Sequence, residues 1–175
     1  MQTPQRSCLK DEKYRYMLTI RWLPCPPDKR LVAIMCNPST ADETRDDTTT
    51  RILRKWASER GYGEVRIINL FSYKTTLRDR LFSLTDEERI GEKSNRIIAD
   101  ALLEADTVIA AWGDAPHGLE ERFIHRANQI SDLIAGSPIH VVGRLTARGS
   151  PRHPRRWYLE GGDVELHPFT IPEIS

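Results

Sequence analysis

Short, continuously apolar segments alternate along this chain with longer segments whose apolar residues recur every three to four positions. Leu31 to Cys36 is apolar throughout after Lys29 and Arg30, which predicts a strand buried on both faces of a sheet. Thr48 to Glu59 then places Ile52, Leu53, Trp56 and Ala57 at helical spacing, with Gly61 as a C-terminal stop. Val65 to Leu70 predicts a second buried strand, and Asn95 to Ala105 a helix with Ile97, Ile98, Ala101, Leu102 and Ala105 on one stripe. Thr107 to Trp112, Leu119 to Ala135 and Ile139 to Val142 repeat the cycle as strand, helix and strand. Ahead of all these, Tyr14 to Trp22 partly alternates and predicts an edge strand, broken by a turn at Pro24 to Asp28.

Strands alternating with helices imply a parallel sheet flanked by helices. The expected fold is α/β: three layers (α/β/α) around a central, mainly parallel four-stranded sheet plus an N-terminal edge strand. A length of 175 residues fits a single domain, with residues 1–13 as a loose N-terminal extension. In such sheets ligands bind outside the carboxyl ends of the strands. The polar segments just past those ends are Asn37 to Ser39, Asn69 to Tyr73, Trp112 to Asp114 and Gly143 to His153, so four segments are expected to converge on one rim.

Composition narrows the classes. Basic and acidic side chains number 26 and 25, a net charge of +1, so an argument for a polyanionic partner has to come from local clustering. The three cysteines, Cys8, Cys25 and Cys36, are scattered and form no C-x-x-C, which argues against a disulfide framework or a zinc ribbon. No apolar run approaches the roughly 20 residues that span a bilayer, and the polar start lacks the apolar core of a signal peptide. The expectation is a cytoplasmic monomer with no metal, no cofactor and no membrane partner. Walker, G-x-G-x-x-G, H-E-x-x-H and G-x-S-x-G patterns are absent from the sequence.

Local clustering does appear. Gly143 to Tyr158 carries Arg144, Arg148, Arg152, Arg155 and Arg156 and no acidic residue. Arginine forks suit phosphate oxygens, and Gly149, Pro151 and Pro154 let the backbone turn closely around a ligand; taken alone, the stretch also fits a solvated basic loop. His153 lies in this loop. Asn37 precedes Pro38, whose ring biases it towards an extended backbone, so its amide can project over the rim. Asn69 ends the next strand and offers the same chemistry.

In this order the motifs resemble the uracil-DNA glycosylase superfamily: a strand ending in Asn37-Pro38-Ser39, a second ending in Asn69-Leu70-Phe71-Ser72-Tyr73-Lys74, a third ending in Trp112-Gly113, and a late His153-Pro154. More closely, the chain is similar to a small bacterial and phage family sharing N-P-S-T-A-D, here Asn37 to Asp42, and P-R-H-P, here Pro151 to Pro154. The resemblance covers roughly Tyr14 to Tyr158. It implies a DNA glycosylase that hydrolyses the N-glycosidic bond of a flipped pyrimidine, with DNA as partner. Asn37 then orients the attacking water and His153 stabilises negative charge on the departing base. Asn69 reads the base, with Cys36, Pro38, Ser39, Phe71 and Trp112 around it. Arg144, Arg148, Arg152, Arg155, Arg156 and Trp157 are expected on the DNA, the last two as candidates for the wedge.

Two departures change the expected substrate. Arg155 replaces the serine that follows His-Pro, and the usual leucine wedge is missing. The Ser39 to Thr50 loop has no aromatic to stack on uracil and is instead acidic and hydroxyl-rich, with Asp42, Glu43, Asp46, Asp47, Thr48, Thr49 and Thr50. That composition suits a pyrimidine bearing hydroxyls, such as a hydroxymethylated or glucosylated phage base, and a role in phage defence; Asp42 and Asp47 equally suit helix capping. Uracil or mismatch repair, a non-catalytic DNA-binding module, and an enzyme of free nucleotides or nucleosides stay open as alternatives.

Overall fold

The computed structural model describes residues 3–22, 29–38, 41–133, 137–159 and 162–173. Among them, seven strands form one mixed sheet: β1 (Gln5–Lys10), β2 (Arg15–Arg21), β3 (Arg30–Met35), β4 (Glu64–Asn69), β5 (Thr107–Ala110), β6 (Ile139–Val142) and β7 (Leu166–Phe169). The strand order is β1-β2-β4-β3-β5-β6-β7. Pairings β4–β3, β3–β5 and β5–β6 are parallel, while β1–β2, β2–β4 and β6–β7 are antiparallel. The described helices are α1 (Thr48–Glu59), α2 (Arg78–Phe82), α3 (Asp86–Ile90), α4 (Ser94–Leu103) and α5 (Glu120–Asp132), with a 3-10 turn at Pro154–Arg156. None of them is long and apolar enough to cross a membrane.

The period-two geometry of a strand sends alternate side chains to opposite faces, and β3 shows it directly. Leu31, Ala33 and Met35 pack with Leu53, Trp56 and Ala57 of α1. Val32, Ile34 and Cys36 join the opposite cluster, with Ile98 and Ala101 of α4 and Phe123, Ala127 and Ile130 of α5. Burial on both faces explains why β3 reads as an unbroken apolar run.

The sheet is larger than the expected four strands and an edge. β2 is not an edge strand: β1 pairs along it from Gln5↔Arg21 to Lys10↔Arg15. Residues 5–10, expected within a loose extension, are therefore ordered by the ladder. Their sequence, QRSCLK, has no apolar run because the strand is mostly exposed, so backbone hydrogen bonds rather than side-chain burial hold it. β7 closes the other edge with Pro168 inside it, a residue that sequence patterns count against a strand but that an edge tolerates. The turn at Pro24 to Asp28 lies outside the described residues, as do Ile134 and Ala135 at the end of the expected last helix.

Chain direction creates the crevice. From β3 the chain crosses through α1 on one face to β4, whereas from β5, on the opposite side of β3, it crosses through α5 on the other face to β6. Neighbouring parallel strands whose connections diverge in this way leave a gap at their carboxyl ends. The antiparallel strand β2 begins at that same end of the sheet, because its start lies beside the exit of β4: the Arg15 N–H donates to Ser72 O at 3.0 Å.

Candidate functional site

The exits of β3 and β4 are locked together beyond their last residues. Leu70 N–H donates to Met35 O at 2.8 Å and Phe71 N–H to Cys36 O at 3.0 Å, while Met35 and Asn69 are register partners. Alternation continues from Ala33 and Met35 to Asn37, and from Val65 and Ile67 to Asn69, placing both amides on the α1 side of the sheet. There they line a cavity of about 570 Å³ together with Cys36, Asp47, His153, Arg155 and Arg156. Arg15, Thr49, Thr50, Thr75 and Thr76 complete its polar wall.

Each polar group has a defined setting. The Asn37 amide donates to Thr75 O at 2.8 Å and Pro38 O at 3.1 Å. With both N–H bonds directed inward, Oδ1 is the atom those bonds leave for an incoming donor. Asn69 is fully buried, and neither its Nδ2 nor its Oδ1 has a hydrogen-bond partner. An amide left so typically costs about 1–3 kcal/mol, a cost that a complementary ligand removes. The Nδ1 of His153 accepts the Arg155 N–H at 3.3 Å. In the neutral ring this puts the proton on Nε2, making that nitrogen a donor. Gly113, at φ +76°, passes so close that a Cβ there would lie 3.3 Å from the His153 Cβ. The end of β5 thus braces the histidine, with Gly113 N–H donating to Pro151 O at 3.0 Å in the same loop. His153 and Arg156 also line an adjoining recess of about 490 Å³, shared with Arg152, Asp114 and Thr146.

Other expected site residues lie elsewhere. Trp112 shares its face with Val108 and Ala110, packs on Phe169 at 6.0 Å and lines a separate recess beside α5. Phe71 is buried against Phe82 and Phe123 on that side as well. Trp157 is 1% exposed; it packs at a tilt on Trp56 at 5.5 Å and its Nε1 donates to Arg152 O at 3.0 Å, so it is a core residue and not a wedge. Arg148 donates to Ala115 O and pairs with Glu120, fastening the basic loop to the start of α5. Arg144 is exposed near Asp163. Pro38 is buried, and Ser39 lies outside the described residues.

The acidic loop divides. Asp47 caps α1, forms a capping box with Thr50 and lines the cavity. Asp46 is held by Arg6, Arg54 and the Thr50 hydroxyl, away from the cavity lining. Asp42 closes a turn: the N–H groups of Thr44 and Arg45, then the Thr44 hydroxyl, hold its carboxyl down to about 2. A depressed carboxylate stabilises the fold above its ordinary pKa and loses that contribution as pH falls through the folded value. The 42–45 turn is therefore expected to loosen between about pH 4 and pH 2, seen as faster exchange of the Thr44 and Arg45 amides. Exchange unchanged across that window would overturn this.

Sequence reading missed Arg15. It is 5% exposed, its Nη1 donates to Ala41 O, and its Nε has no partner. Burial pushes its guanidinium below the usual arginine range. The signal was present as a charge at the start of an otherwise apolar, alternating strand. Thr75 and Thr76 came from a stretch read only as polar.

Fold and site together define a mixed α/β domain with a polar, partly cationic cleft at its strand ends. The chain belongs to the family described as a protein of unknown function (DUF1643), whose model matches residues 15–155. No curated protein and no solved structure matches it.

Proposed function

We propose that the protein is a DNA glycosylase that hydrolyses the N-glycosidic bond of a flipped pyrimidine. The observation that carries this reading is the meeting of Asn37, Asn69 and His153, from three separate segments, in one cavity. Its volume lies within the range of about 300–1,000 Å³ usual for small-molecule pockets, large enough for a nucleoside with substituents.

The residue types suit the reaction. Glycosidic cleavage builds positive charge on the sugar and negative charge on the base. The Oδ1 of Asn37 accepts a hydrogen bond from water and aims the water oxygen at the sugar, a task of position more than basicity. The Nε2–H of His153 donates to an oxygen of the base, where charge develops. Asn69, with a donor and an acceptor both unpaired, is complementary to the donor–acceptor edge of a pyrimidine. Arg155 and Arg156 at the mouth and Arg152 beside it offer grip on phosphates. The threonine and Asp47 wall supports a base carrying hydroxyls, hydroxymethylated or glucosylated, and with it a role against phages that modify their DNA.

The test is incubation with labelled duplexes carrying uracil, a thymine mismatch, hydroxymethylcytosine or glucosylated hydroxymethylcytosine, followed by alkaline cleavage of abasic sites. Strand breaks on at least one substrate are expected; none on any overturns the enzyme reading. Duplex affinity should also fall steeply with salt, with a log–log slope of about −0.9 per phosphate contacted. Salt-independent binding points instead to free nucleosides.

A further inference from the structure

The cavity lining holds three arginines, Arg15, Arg155 and Arg156, against one carboxylate, Asp47. Arg155 and Arg156 are exposed, whereas Arg15 is buried. Among the described residues no carboxylate lies within ion-pair distance of Arg15. Its bond to Ala41 O uses one of five N–H donors, and a neutral donor could hold that loop as well. A buried charge without a counter-charge is unfavourable unless something supplies the opposite sign. Asp47 and Asp42 act on Arg15 only at longer range, without an ion-pair contact, and the Asp47 Oδ1 accepts from both the N–H and the hydroxyl of Thr50.

Asn69 decides which anion. A phosphate group presents acceptors and leaves the Asn69 Oδ1 without a donor. A uracil-type edge presents a ring N–H beside a carbonyl oxygen and a cytosine-type edge a ring nitrogen acceptor beside an amino donor, so either pairs with both unpartnered atoms of Asn69. We infer that Arg15 and Asn69 together form a receptor for a pyrimidine anion, and that Arg15 takes the negative charge of the base as it departs. This deepens the glycosylase reading and rests on it for the catalytic step. In that step the C1′–N1 bond breaks and its electron pair stays on the base. The charge spreads over N1 and the exocyclic carbonyl oxygen against Arg15, while water adds to C1′ and releases its proton to solvent. Arg15 contributes a fixed charge in place of a proton donor.

Binding of free ligands separates this inference from turnover. The full chain and its Arg15→Met and Arg15→Lys variants are titrated calorimetrically with 5-nitrouracil, anionic at neutral pH, with neutral uracil and with inorganic phosphate. The wild type is expected to bind 5-nitrouracil at least tenfold more tightly than uracil. Arg15→Met should abolish that preference while the variant still unfolds cooperatively, because it removes a buried charge that no carboxylate contacts, and Arg15→Lys should keep part of it. Equal affinity for the two pyrimidines, unchanged preference in Arg15→Met, or Arg15-dependent binding of phosphate alone each overturns the inference. An Arg15-dependent preference for 5-nitrouracil with no cleavage of any duplex leaves the anion receptor standing and removes the glycosylase. Cleavage that survives Arg15→Met undiminished does the reverse.

Discussion

Replacing His153 with alanine is expected to lower base release by about two to three orders of magnitude, the usual loss when one preorganised donor is removed from a site of developing charge. Asn37→Ala should act on the same scale through water positioning. Duplex affinity should change little in either variant, since phosphate grip is assigned to Arg152, Arg155 and Arg156. Single-turnover rates and equilibrium binding on the same modified duplex make the comparison. Equal losses of rate and affinity would undo both role assignments, because the two side chains would then be binding elements only. His153→Gln is the informative companion: an amide N–H can replace the Nε2 donor, and partial recovery is expected.

Trp157→Ala carries the largest expected effect on stability, about 3–5 kcal/mol, the range for truncating a buried large aromatic. The ring is wedged against Trp56, and its Nε1 holds the Arg152 carbonyl. Losing it removes apolar burial between α1 and the sheet and releases the backbone one residue before His153. Urea unfolding reads the first effect. The second appears as lower activity at temperatures where the variant is still folded. A loss under 1 kcal/mol would show that the indole is not the pillar its 1% exposure implies.

Trp157 also shows where the sequence was ambiguous. An aromatic after Arg155-Arg156 in a basic loop reads equally as a DNA wedge or as an anchor, because residue type does not encode direction. Trp112 is a different case. Its parity with Val108 and Ala110 already placed it on the α5 face, so strict alternation would have kept it out of the site. The stretch between Lys74 and Asn95 read as polar, yet Thr85 and Glu88 form the S/T-x-x-E capping box of α3, a signal legible at the sequence level. β1 offered none, since an exposed edge strand buries too little to need a pattern.

The α/β class, the strand-end amides Asn37 and Asn69, and the arginine-rich loop with His153 were determined by sequence alone. Buried strands must be apolar and helices must show a stripe, so the loops that follow them announce themselves. Tertiary structure decided which of these residues share a cavity and which strand borders it. Arg15 precedes Asn69 by more than fifty residues, and only the antiparallel pairing of β2 with β4 brings its start to the exits of β3 and β4. Strand direction and order arise from the sum of many long-range contacts, and no local pattern in the chain carries them.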